Sequence, residues 1–86
     1  RYTANHIFSY IELDEKHAII EVAVPDNWQG HSIGELDIRR KYGVNILGVK
    51  RSDKTDVNVS SETMLDSSLT LLVLGENQLL KKHFHL

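Results

Sequence analysis

Apolar and polar residues alternate through the first third of the chain with the period of a strand. Residues 7–13, IFSYIEL, form an apolar-rich run, Asp14 to Lys16 make a polar turn, and residues 17–24, HAIIEVAV, form a second run ended by Pro25. This spacing predicts a β-hairpin. Ile20, Val22 and Val24 share one face of the second run and Ile19, Glu21 and Ala23 the other, which assigns one face to a core. Residues 26–31 form a polar loop carrying the only tryptophan, and Trp28 is expected to lid that core.

The period then changes to that of a helix. In SIGELDIRRKYGVNILGVKR, residues 32–51, Ser32 is followed three residues later by Glu35. This is a capping box, whose hydroxyl and carboxylate satisfy free amides at a helix start. Gly43 is expected to stop the helix, because glycine takes the positive φ of a helix end at least cost. Residues 44–49 are rich in β-branched and aliphatic side chains and read as a strand. Beyond them, residues 52–55 read as a charged turn and 56–59 as a short edge strand pairing back. Residues 69–74, a continuous apolar run, read as a central strand covered on both faces, with Gly75 as its end. A last helix is expected over 77–84, with Leu79, Leu80 and Phe84 on its apolar side. The order β-β-α-β-β-β-α predicts an α+β fold in which short helices cover one side of a small sheet.

Size adds an expectation of self-association. A chain of 86 residues makes one domain, and so small a domain buries only roughly 60% of its unfolded surface. The formal charge of −2 gives no general attraction for nucleic acid or an anionic membrane, so any anion site has to be local. No run approaches the ~18 apolar residues of a membrane span. Without cysteine there is neither a disulfide framework nor thiolate chemistry. The chain opens at Arg1 and reads as a fragment of something longer.

Enzyme motifs are missing: no phosphate loop, dinucleotide glycine fingerprint, zinc-binding helix motif or nucleophile elbow occurs. His83 and His85 lack the third and fourth ligands of a stable metal site, and His6, His17 and His31 are scattered singly. The chain is therefore read as a non-enzyme with no metal and no cofactor.

The helix, basic turn and strand resemble the C-terminal regulatory lobe of RCK-type (TrkA-C) subunits, in particular the Ktr-like gating proteins of bacterial potassium uptake. From Phe8, FSYIELDEKHAIIEVAVP is similar to the family's opening pair of strands, SIGELDIRRKYGVNILGVKR to its helix and next strand, and LTLLVLGE to its closing strand. LDIRRKYGVNI is the specific part. The resemblance implies a connector tail over 1–7 and a small RCK C-lobe, the ligand-binding domain, over 8–86. It further implies a homodimer in the cytoplasm, peripheral to the inner face of the membrane, that acts on a membrane-embedded cation transporter through the full-length assembly. Direct contact of this fragment with nucleic acid or membrane is not implied. Two alternatives stay open: the same lobe regulating a cation/proton antiporter or a transcription factor, and a ligand-free structural dimerisation lobe.

The resemblance also implies a regulatory ligand, cyclic di-AMP, in a cleft on the dimer axis. Arg39 matches the phosphate-contacting arginine, and a guanidinium suits a phosphate oxygen through charge-assisted hydrogen bonds. Asp37 and Asn45 match polar positions that meet the adenine edge, for which a carboxylate and an amide have the right acceptors and donors. Ile33 and Ile46 match the apolar residues that sandwich the base, and Val59 and Ser60 line the pocket. Two positions depart from the family pattern. Gly34 stands where relatives often carry a second aliphatic, so part of the base-facing wall is expected to be missing, and NVSSE at 58–62 lacks the usual proline. Arg40 and Lys41 are expected to be solvated cations, and Leu36 and Leu47 to hold the lobe together.

Overall fold

In the computed structural model, which describes residues 7–86, β1 (Ile7–Glu12) and β2 (His17–Ala23) pair as an antiparallel hairpin. The Asp14 carboxylate builds the turn by accepting from the amides of Lys16 and His17, each at 2.8 Å. These bonds, with the His17 ring, hold its carboxyl below the usual aspartate range, the Lys16 amide first. The expected connector over 1–7 lies outside the described residues except for Ile7, which is the first residue of β1 and fully buried.

Three further strands complete an antiparallel sheet of order β1-β2-β5-β3-β4: β3 (Asn45–Arg51), β4 (Lys54–Asp56) and β5 (Thr70–Glu76). Between β2 and β3 run a short 3-10 turn (Asp26–Trp28), α1 (Ile33–Leu36) and α2 (Ile38–Tyr42). The closing helix is α3 (Asn77–Phe84), with Leu80 and Phe84 buried and Leu79 packed against them. This is the expected α+β fold, with the helices packed on one face of the sheet.

Alternation decides which side chains reach the core. Ala18, Ile20 and Val22 of β2 and Leu71 and Val73 of β5 are buried, and Ile38, Val44, Leu65, Leu80 and Phe84 close over them. Trp28, only 1% exposed, packs edge-on to Phe84 at 5.5 Å and tilted to Tyr42 at 5.0 Å. It is a central packing residue rather than a lid.

Five further expectations are corrected. β5 is central, but its burial alternates, so the face bearing Thr70, Leu72 and Leu74 is only half-buried by this chain. Gly75 does not end β5; it lies inside the strand, where a Cβ would stand 2.9 Å from Val44 Cγ1. The edge strand falls at Lys54–Asp56 instead of 56–59, because Arg51 pairs with Lys54 across a two-residue turn in which Ser52 takes φ 55°. Leu47 is 38% exposed and holds nothing together, since an irregularity in register between Ile46 and Gly48 turns it outward. The predicted single helix breaks at Asp37, which adopts φ 53° and ψ 50° between α1 and α2. Gly43 ends α2 at φ 71°, as the sequence predicts.

Candidate ligand cleft

The capping box fixes where α1 begins. Ser32 Oγ accepts from the Glu35 amide at 3.0 Å, and Glu35 Oε1 accepts from the Ser32 amide at 3.1 Å. The next amides are taken by another segment: Ile33 donates to the Thr63 carbonyl at 3.0 Å and Gly34 to the Ser61 carbonyl at 2.8 Å. With Gly30 donating to Leu65 and Leu65 to His31, residues 30–34 and 61–65 are laced together. The start of α1 is therefore fully hydrogen-bonded within the chain and offers no amides to an anion.

The Ser32 amide, then the His31 ring, hold the Glu35 carboxyl below the usual glutamate range. A depressed carboxyl stabilises the fold above its ordinary titration range and loses that contribution as pH falls through the folded-state value. Replacing Ser32 by alanine is expected to destabilise the lobe by about 1 kcal/mol. Urea denaturation at neutral pH measures it, and an unchanged midpoint would rule out the cap as a contributor.

The break at Asp37 reorients the chain after α1. Ile38, 2% exposed, enters the core, while Arg39 stays on the surface and its Nε donates to Asn45 Oδ1 at 2.8 Å, across the α2–β3 turn. A cleft of about 160 Å³ opens there. Ile33, Arg39, Asn45, Ile46, Val59 and Ser60, all candidates from the sequence, line it. Ile38 and Val44 form part of the lining and were missed; both are buried apolar residues that carry no chemical signature in the sequence.

Asp37 and Gly34 do not line the cleft. Asp37 Oδ2 accepts from Arg40 Nε at 2.5 Å; Arg40 is a solvated cation, as expected, that also pairs with Asp37. Gly34 faces Ser61, and a Cβ there would lie 2.7 Å from Ser61 Cβ. The loop thus packs directly against Gly34, which brings the two departures, Gly34 and residues 58–62, into one contact. A wider groove of about 630 Å³ lies beside β4 and includes Arg51, whose guanidinium is engaged by Ser68 and Asp66.

His17, His31 and His83 each have a partner of their own. His17 Nδ1 lies 2.9 Å from Asp14 Oδ1, His31 Nδ1 3.4 Å from Glu35 Oε2, and the His83 ring stands edge-on to Tyr42 at 4.9 Å. Burial first, then Lys82, push the His83 pKa down. His6 lies outside the described residues.

Five antiparallel strands, helices on one face and a cation-bearing cleft where a broken helix meets β3 define the class: a small α+β lobe of the regulatory RCK C type. The chain belongs to the TrkA-C domain family, whose model matches residues 17–84. It is 32% identical over 72 residues to Ktr system potassium uptake protein C of Bacillus subtilis (strain 168), covering 84% of this chain and 33% of that protein. The chain therefore spans about a third of the length of that curated relative.

Among solved structures, the RCK C domain of potassium transport protein KtrA, in complex with cyclic di-AMP, aligns with a TM-score of 0.72 at 29% identity, covering 80% of this chain and 81% of that one. The RCK_C domain dimer of S. agalactiae BusR, also in complex with cyclic di-AMP, aligns with a TM-score of 0.63 at 20% identity, over 81% of this chain and 96% of that one, a likeness of fold. No helix among the described residues is long and apolar enough to cross a membrane.

Proposed function

We propose that this lobe is a non-catalytic sensor that binds cyclic di-AMP between two protomers and passes the change to a Ktr-type potassium-transport assembly. The observation that carries the reading is the cleft, where a guanidinium, an amide and two isoleucines converge from α1, α2 and β3. The complex of the KtrA C domain with the same ligand supports it.

The chemistry follows the geometry. Arg39 commits its Nε to Asn45, which steadies the side chain and leaves the terminal nitrogens for a phosphate oxygen. The Asn45 amide nitrogen remains as a donor to the adenine edge, and Ile33 and Ile46 give apolar surface to the base faces. Val59 and Ser60 close the side of the cleft. Asp37 meets the adenine edge in this reading by exchanging its Arg40 partner for the base.

Size points to a shared site. The cleft's 160 Å³ falls short of the ~300–1,000 Å³ usual for a small-molecule pocket. A ligand with two equal halves on a two-fold axis receives every contact twice and needs only half a site from each protomer. Such a ligand favours whichever relative orientation of the protomers it fits best, and it biases a gate by its difference in affinity between the two states. The reading places residues 8–86 as the sensing unit behind a short connector, in the cytoplasm at the inner face of the membrane.

Calorimetric titration of the chain with cyclic di-AMP, cyclic di-GMP and ATP tests it. Tightest binding of the first, at one ligand per two chains, is the expected result. No binding of cyclic di-AMP at about 100 μM, an affinity weaker than about −5.5 kcal/mol, would overturn the sensor role and leave a ligand-free dimerisation lobe.

A further inference from the structure

We propose that Gly34 sets the width of the cleft, acting as a positioning residue through the loop 58–62, and so determines which base fits. The inference rests on the cyclic di-AMP reading above and deepens it. Gly34 does not line the cleft. Its amide donates to the Ser61 carbonyl at 2.8 Å, and a Cβ on it would stand 2.7 Å from Ser61 Cβ and 2.9 Å from Ser61 O.

Approaches that short are sterically forbidden, and one of the obstructing atoms belongs to the backbone. Relief therefore requires the loop to move, because no rotamer change frees a main-chain carbonyl. The helix itself does not ask for glycine here: only Gly30 and Gly43 among the glycines take positive φ. Alanine is the better helix former at such a position, so the close contact is what glycine serves.

The loop would move as a unit. The Ser60 amide donates to Thr63 Oγ1 at 2.9 Å, the Thr63 amide to the Ser60 carbonyl at 3.1 Å and the Glu62 amide to Ser60 Oγ at 3.2 Å. At its other end the Asn58 amide donates to Asp56 Oδ1 at 2.8 Å. A push at Ser61 consequently carries Val59 and Ser60, the loop's contribution to the cleft wall, away from the isoleucines. A wall held close suits adenine; guanine, with exocyclic groups at both C2 and C6 where adenine has one at C6 alone, needs more room at its edge.

Gly34→Ala tests the inference by two measurements. In the ligand-free protein, amide NMR shifts are expected to spread through residues 57–63. In titration, cyclic di-AMP is expected to bind about tenfold more weakly, a change of about 1.4 kcal/mol, with its preference over cyclic di-GMP falling in parallel. A generally loosened lobe would weaken both ligands alike and leave that preference unchanged.

Shifts confined to the immediate neighbours of residue 34, or an unchanged preference, would overturn the inference. Should the single variant fail to fold, Gly34→Ala with Ser61→Gly carries the same comparison. That double variant removes the Cβ–Cβ contact but keeps the carbonyl contact, so it should recover part of the parent's preference. Absence of cyclic di-AMP binding by the parent overturns the sensor reading alone, and the loop shift in the free protein still decides whether Gly34 holds the wall in place.

Discussion

Arg39→Ala is expected to weaken cyclic di-AMP binding by more than about a hundredfold while leaving the lobe folded. A hydrogen bond to a charged group is worth about 1.5–3 kcal/mol. On a two-fold axis each ligand meets two copies of Arg39, so a single substitution removes both, about 3–6 kcal/mol in all. Folding should tolerate the change, because Arg39 is exposed and its partner Asn45 keeps access to water. Arg39→Lys separates charge from geometry: it keeps a cation but loses the planar fork, and should fall between parent and alanine. Lys41→Ala is the matched control: it removes a neighbouring exposed cation that does not line the cleft, and should leave the affinity unchanged. Calorimetry on the three variants decides the point. Equal affinities for Arg39→Ala and the parent would move the phosphate contact elsewhere on the surface.

What the sequence disclosed, and what it hid, divides along the reach of each interaction. Ser32 and Glu35 cap a helix through contacts three residues apart, and Gly43 ends α2 through its own φ; both are local and legible. The hairpin's alternation is equally local, and it put Ile20, Val22 and Val24 together on one face, the face that the structure buries. Asp37 was harder. Its break lets Ile38 reach the core while Arg39 stays outside, a decision made by packing against the sheet and not by propensity along LDIRRKY. In the ligand-free chain Asp37 pairs with Arg40, a contact that the resemblance to the adenine-edge position does not indicate.

Register was hidden for a related reason. The turn after β3 has two residues, with Ser52 at positive φ where glycine or asparagine would have marked it, so the sequence did not indicate that β4 begins at Lys54. The irregularity beside Leu47 resets the period of two, placing Ile46 and Val49, three residues apart, opposite Val73 and Leu71 of the same buried face. No alternation rule applied to β3 alone finds that shift. The cleft residues, by contrast, were gathered from three segments by motif matching. The missed lining residues, Ile38 and Val44, show what motif matching omits: the apolar floor beneath the polar groups.

Trp28→Ala should be the most damaging single change to the fold. Truncating a buried tryptophan costs about 3–5 kcal/mol, and a chain of this length has roughly 4–13 kcal/mol of stability in total at ~0.05–0.15 kcal/mol per residue. Trp28 also joins three elements: Tyr42 at the end of α2, Phe84 at the end of α3, and the turn that delivers the chain to Ser32. Its loss therefore loosens the support of the helix that carries Arg39, as well as the core. At about 4–8 °C per kcal/mol for a domain of this size, the expected fall in Tm is roughly 12–40 °C. Circular dichroism is the suitable readout, since the substitution removes the only tryptophan fluorophore. Trp28→Phe keeps a ring against Tyr42 and Phe84 and should lose markedly less. Leu47→Ala supplies the opposite limit: on an exposed irregularity of β3 it should change stability by no more than about 0.5 kcal/mol. If Trp28→Ala melts as close to the parent as Leu47→Ala does, the helices are anchored to the sheet by the aliphatic core of Leu80, Val44 and Ile38, and the tryptophan is dispensable.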